Sequence, residues 1–281
     1  MILPGGTWDP LVPGLVQGKP KLRVSREFSF GQLTGHAELA LAETLPEMET
    51  AAHQVTAILG KVLNTLGRKP VDEASIHTRL SIGDRQFLMR LASRHLGLSS
   101  PWHSVGCRHC ESLFDIEVDE ARLPVRQAEK GFPLAKAMTS LGMLTLKAPT
   151  GEDVDGEGDS QTALGIQLIF DGPPDIPERL TPEDITRIET CVRKLSPEIT
   201  RKIHTLCPEC GQENIVELDP YACIPKLVEP STGTSTGKSI LSEVDRIARA
   251  YHWSEKEILE LPKPRRQAYL DMIDRKQGKI S

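Results

Sequence analysis

The sequence predicts an α+β fold, with a pseudo-duplicated helix–knuckle–strand core and a C-terminal helical tail. Three observations predict it. Two C-x-x-C pairs, Cys107/Cys110 and Cys207/Cys210, stand 100 positions apart, and each leads into a short alternating run. A helix-start signal lies 26 residues before each pair. Beyond residue 238 the pattern is helical, interrupted by prolines.

Taken in order, residues 1–20 are rich in Gly and Pro and read as a flexible N-terminal arm. Pro4, Pro10 and Pro13 break it and no positive n-region precedes it, so it does not read as a secretory signal. The core is expected over residues 21–229. It opens with a strand at Leu22 to Phe30, followed by helical patterns from Glu38 to Leu45 and from Glu49 to Leu66. In the second of these, Val55, Ile58, Leu59, Val62, Leu63 and Leu66 form an amphipathic stripe, with Gly67 as its stop.

The duplicated unit comes next. CRHCESLFDIEVD (Cys107 to Asp119) matches CPECGQENIVELD (Cys207 to Asp219), with Ile116 and Val118 opposite Val216 and Leu218. Ser81 with Asp84, and Thr181 with Asp184, are the two helix-start signals, and Pro182 takes the favoured first helical position. Leu88, Leu91 and Leu96 line one following helix; Ile185, Ile188, Val192 and Leu195 line the other. Each unit ends on a proline, Pro124 or Pro225.

Between the copies, residues 151–160 form an acidic, Gly-rich loop. Asp153, Asp155, Glu157 and Gly158 partly copy a calcium loop, but its twelfth position is Leu164 where a bidentate Glu is required, so a solvated linker is expected. Residues 230–238 are a second linker. It contains the start of GTSTGKS (Gly233 to Ser239), which lacks the glycine spacing and the preceding strand of a phosphate loop. The tail, 239–281, carries Ile240, Val244, Ile247 and Tyr251 on one helical face. A capping box at Ser254 and Glu257 follows, and then a last helix with Tyr269, Met272 and Ile273. It reads either as a hairpin packed on its own domain or as a docking element for a partner.

Bulk properties narrow the function. With 38% hydrophobic and 26% charged residues among 281, the chain can build a core. Aromatic residues are 4%, which argues against an aromatic-lined pocket, and no small-molecule substrate is expected. The net charge of −5 provides no basic stripe for nucleic acid. No apolar run is long enough for a membrane helix, and the expected compartment is the cytoplasm.

In that setting, paired C-x-x-C turns favour metal over disulfides. Two such turns supply four thiolates for one tetrahedral Zn²⁺, with no open position for water, so the site is structural and its units are zinc knuckles. Cys107, Cys110, Cys207 and Cys210 are the candidate ligands. His103, His109 and His204 lie near enough in sequence to leave a substitution for one cysteine open. A redox dithiol fits less well, because both pairs follow a helix and precede a strand. A pair of knuckles without metal is the other alternative. Cys191 and Cys223 read as small core hydrophobes. The chain carries no nucleophile elbow or metalloprotease motif, so it is not expected to be an enzyme.

The chain also resembles the baseplate hub assembly family of T4-like contractile phage tails and phage-derived injection systems. The resemblance lies in Leu33-Thr34-Gly35 with Glu38, in the helix and C-x-x-C through Val118 to Leu123-Pro124, and in Ala148-Pro149-Thr150-Gly151-Glu152-Asp153. YHWSEKEILELP and RRQAYLDMI in the tail are also similar to helical segments of such proteins. The resemblance implies a non-enzymatic assembly or structural role, with baseplate or hub proteins as partners and incorporation into a tail or injection particle. The alternative is a zinc-ribbon adaptor binding nucleic acid through Lys61, Arg68 and Lys69 or through Arg193, Lys194, Arg201 and Lys202.

Overall fold

A computed structural model describes residues 1–11, 22–154, 167–171, 176–228, 236–276 and 278. The architecture is mixed α+β. Its first layer is an antiparallel sheet in the order β1 (Ile2–Trp8), β2 (Val24–Phe30), β3 (Leu63–Leu66), β4 (Lys69–Pro70). The helices α1 (Gly35–Thr44), α2 (Ala51–Val62), α3 (Glu73–Arg79) and α4 (Ile82–His95) belong to the same half. Leu3, Phe28, Leu41, Val55, Ile58, Leu59, Ile76 and Leu88 share its core.

Two elements here differ from the sequence reading. Ile2–Trp8, expected within a flexible arm, is a strand whose Leu3 and Trp8 are buried. Its Pro and Gly residues lie in an irregular stretch where the β1–β2 register shifts. Side chains there replace the ladder: the Asp84 carboxylate accepts from Gly5 N and Gly6 N at 2.8 and 3.1 Å. Arg26 donates to Leu3 O and Pro4 O at 2.7 and 2.9 Å. A bulge with its polar groups satisfied tolerates Pro and Gly on an edge strand. The arm's remaining positions, 12–20, lie outside the described residues.

The second difference is the end of the Glu49–Leu66 helix. α2 begins at its Thr50 cap and stops at Val62, and Leu63–Leu66 crosses into the sheet against Phe28 and Phe30. Gly67 and Arg68, both at positive φ, then turn the chain tightly into β4. The gain from pairing a central strand outweighs one more helical turn.

After α4 comes the hairpin β5 (Trp102–Gly106)/β6 (Leu113–Glu117), then a short β7 (Val125–Arg126). The strands β8 (Leu134–Thr139) and β9 (Gly142–Lys147) form a sheet with β10 (Ile169–Asp171); α5 (Gly151–Val154) falls between β9 and β10. After α6 (Ile176–Arg179), α7 (Pro182–Leu195) packs Ile188 and Val192 onto Ala137, Leu144 and Leu146 of this sheet. Next come β11 (Glu198–Ile199), paired with β7, and the hairpin β12 (Lys202–Leu206)/β13 (Glu213–Glu217). A short α8 (Cys223–Val228) returns Cys223, Ile224 and Leu227 to the first core.

The acidic segment begins as structure. The Asp153 carboxylate accepts from Thr150 N and Oγ1 and pairs with Lys147, so it is committed to the fold. The loop's positions 155–160 lie outside the described residues, as do 230–235 of the second linker, while Thr236 to Ser239 already belong to helix.

The tail is α9 (Thr236–Tyr251), α10 (Glu255–Leu259) and α11 (Lys263–Lys276), with its own apolar cluster of Ile240, Val244, Ile247, Ile258, Leu270 and Ile273. It is docked on α1. Fully buried Arg266 donates to Glu38 at 2.9 Å, to Glu243 at 2.9 Å and to Leu261 O at 2.8 Å. Gly35 allows this approach: a Cβ there would lie 2.9 Å from the guanidinium. Among the described residues, no helix is long and apolar enough to cross a membrane.

Candidate metal centre

The two C-x-x-C pairs sit in the turns of the β5/β6 and β12/β13 hairpins, and the turns are built alike. Cys107 N donates to Ser112 O and Glu111 N to Cys107 O; Cys207 N donates to Gln212 O and Gly211 N to Cys207 O. All four bonds are 2.9–3.0 Å. Glu111 and Gly211 adopt positive φ at the same place, where the chain must reverse after the second cysteine. Upstream, Val118 N bonds Pro101 O and Leu218 N bonds Arg201 O, both at 2.7 Å. Each cysteine pair therefore follows a helix and a strand and precedes a second strand. The first strand of each hairpin is additional to the helix–knuckle–strand order read from sequence.

All four sulfurs lie within 4.8 Å of one another. Two contacts cross between hairpins: Cys107 Sγ–Cys210 Sγ and Cys110 Sγ–Cys207 Sγ, each 3.7 Å. A disulfide needs about 2.05 Å, and none of these four cysteines is in one. Four sulfurs about 2.3 Å from a common centre would stand about 3.8 Å apart at tetrahedral angles. The cluster is thus geometrically suited to a metal ion. Cys107 and Cys207 are buried, Cys110 and Cys210 exposed.

Polar groups around the cluster favour charge on sulfur. His109 N and Asn214 Nδ2 point at Cys107 Sγ from 3.4 and 3.5 Å. The Ser112 hydroxyl lies 3.0 Å from Cys110 Sγ and 3.4 Å from Cys207 Sγ. Burial raises the Cys107 thiol, but the Cys110 and His109 amides and the Asn214 side chain outweigh it and bring it down to about 6. The Ser112 hydroxyl, against burial, lowers Cys207. Cys210 goes the other way: against the Gln212 amide, burial and the three neighbouring sulfurs push it up to about 12. A cation among the sulfurs would offset that repulsion.

The three histidines are engaged elsewhere. His109 Nε2 lies 3.3 Å from Glu213 O, His204 Nδ1 2.7 Å from a Glu213 carboxylate oxygen, and His103 Nε2 3.4 Å from Glu120. The cysteines alone make up the one metal-suited group among the described residues. Asn214 and Ser112 were not singled out in the sequence. The available signal was Asn214, a polar residue at the inward position where the first copy has Phe114; it is buried, and its Oδ1 accepts from Arg108 N of the opposite knuckle.

Further contacts join the halves away from the sulfurs. Arg90 of α4 donates to Thr200 O, Thr200 N to Pro124 O, and Arg126 to Lys194 O and Arg193 O at the end of α7. Of the basic residues considered for nucleic acid, Arg68 is paired with Glu27 and Arg201 with Glu217. In comparison with known proteins, no family model matches the chain, and no curated protein or solved structure matches it.

Proposed function

We propose that this chain is a non-enzymatic structural or assembly protein whose core is clamped by one structural Zn²⁺ bound by Cys107, Cys110, Cys207 and Cys210. The observation that carries the reading is the spacing of the four sulfurs, two from each hairpin, with 3.7 Å contacts between hairpins. An all-thiolate, tetrahedral donor set suits Zn²⁺, which holds the ligands without redox chemistry. With four protein ligands no position is left for a reacting water, so the metal would act by fixing one hairpin to the other.

The matching turns further support two copies of one ancestral unit, joined at that metal. Its setting, in this reading, is the baseplate of a contractile tail or injection apparatus, with hub or baseplate proteins as partners. Residues that carry the family resemblance support a structural role. Thr34 caps α1, Gly35 and Glu38 receive Arg266, and Thr150 with Asp153 closes the turn beside α4.

Two measurements test the reading. Elemental analysis of the purified full chain is expected to find one zinc per molecule. Co-purification from cells expressing the genes of a contractile tail is expected to recover baseplate components. Zinc-free protein of unchanged stability overturns the clamp, and recovery of nucleic acid in place of tail proteins, lost with rising salt, favours the adaptor alternative.

A further inference from the structure

The cluster brings sulfurs of different exposure together across the joint. Each exposed cysteine faces a buried one from the opposite hairpin: Cys110 against Cys207 and Cys210 against Cys107, both at 3.7 Å. An exposed thiolate is reachable by a small oxidant, and the sulfur placed to react with its oxidised form is then across the joint. We infer that a peroxide converts the centre into two disulfides between the hairpins, Cys110–Cys207 and Cys107–Cys210, so that the clamp becomes covalent when the metal leaves. This rests on the zinc reading above and concerns the same site.

The chemistry balances for each pair. The exposed thiolate attacks one peroxide oxygen, the O–O bond breaks, and a sulfenic acid and one hydroxide form. The buried thiolate then attacks that sulfur and displaces a second hydroxide as the S–S bond forms. Two sulfurs lose two electrons and hydrogen peroxide gains them. Two peroxides thus oxidise four sulfurs, and the site, having lost its thiolates, releases Zn²⁺. The sulfurs must close from 3.7 Å to about 2.05 Å, a movement that hairpin tips can supply. The crosslinks would join residues 97 and 103 positions apart. Pairing within each C-x-x-C turn would instead leave the two hairpins unconnected.

The test uses the intact zinc-loaded chain, with zinc content measured first, then titrated with hydrogen peroxide. A chromogenic chelator follows metal release, and a non-reduced digest maps the bonds. Cleavage after Arg108, Arg122 and Glu209 separates all four cysteines into different peptides. The expected result is one zinc released per two peroxides, with peptides crosslinked Cys110–Cys207 and Cys107–Cys210. Circular dichroism is expected to stay near that of the parent, and dithiothreitol with added zinc to restore the metal. Disulfides within the pairs, Cys107–Cys110 and Cys207–Cys210, overturn the inference while leaving the zinc reading intact. So does over-oxidation to sulfinic acid, or zinc retained without oxidation. Absence of zinc before peroxide is added overturns the zinc reading itself.

Discussion

Asp84 and Asp184 stand at the third position of corresponding helices, and each binds a segment outside its helix. Asp84 accepts from Gly5 N and Gly6 N of the first strand; Asp184 accepts from Ser140 N at 2.8 Å and Ser140 Oγ at 2.6 Å, in the β8/β9 turn. Both also engage their own cap residues, Ser81 and Thr181. The same carboxylate thus ties its helix to a strand or hairpin in both halves, but the two differ in charge balance.

That difference predicts opposite pH responses. Burial, against hydrogen bonds from Ser81, Gly5 and Gly6, pushes Asp84 up from 3.8 to about 6. Between about pH 4 and 6 the folded state therefore holds a proton that the unfolded chain has released. Stability from this group is full below about 4 and lost as pH rises through about 6, a difference of about 3 kcal/mol. For Asp184 the Ser140 hydroxyl and amide hold the carboxyl well below the ordinary range. Its contribution is present above the unfolded value and is lost as pH falls. Carboxyl-carbon NMR titration reads each group separately; Asp84 is expected to inflect near 6, and Asp184 below the usual carboxylate range.

Metal removal is the second test. Cys207→Ser is expected to abolish stoichiometric zinc and to destabilise the fold by several kcal/mol, since structural zinc can contribute about 10 kcal/mol in small domains. His109→Ala is expected to keep its zinc, because the ring lies against Glu213 O and only its backbone amide faces Cys107. Elemental analysis and denaturant unfolding of both variants decide it; loss of zinc from His109→Ala would make histidine a ligand.

Gly83→Ala probes the joint between halves. A Cβ on Gly83 would lie 2.0 Å from Pro197 O, a backbone atom with little freedom to move. The expected cost is about 1–3 kcal/mol or more. Gly97→Ala is the control, as its Cβ meets nothing within 4 Å and only its positive φ is strained, at about 1–2 kcal/mol. A cost below about 1 kcal/mol for Gly83→Ala in urea unfolding would rule out close packing at Gly83.

The tail's docking is tested at Arg266. Arg266→Met leaves Glu38 and Glu243 without their cation in a site where burial already raises the Glu38 carboxyl. The expected loss is about 3–5 kcal/mol. Hydrogen exchange should rise first across α9–α11 and α1. Adding Glu38→Gln and Glu243→Gln to Arg266→Met is expected to restore part of the stability by removing the unpaired charge.

Much of this was legible along the chain, where the signal was local. The cysteine pairs, the caps at Ser81, Thr181 and Ser254, and the stripe from Val55 to Val62 all depend on neighbours a few residues away. The first strand was not legible, because Pro4, Gly5 and Gly6 read as a breaker until Asp84, 79 residues from Gly5, supplies acceptors for their amides. The change from helix to strand at Leu63 was hidden for the same reason: Leu63 and Leu66 fit either period, and only pairing with β2 decides between them.

By itself, then, the sequence determined the two cysteine pairs and their 100-residue offset, since both are properties of the chain. Only the tertiary structure decided that the four sulfurs meet, that the histidines near them bond elsewhere, and that the tail rests on α1 through Arg266. The physical reason is range. A turn or a cap is set by bonds across three or four residues, whereas a four-sulfur cluster or a buried ion group requires distant segments to be held in place by the packing of everything between them.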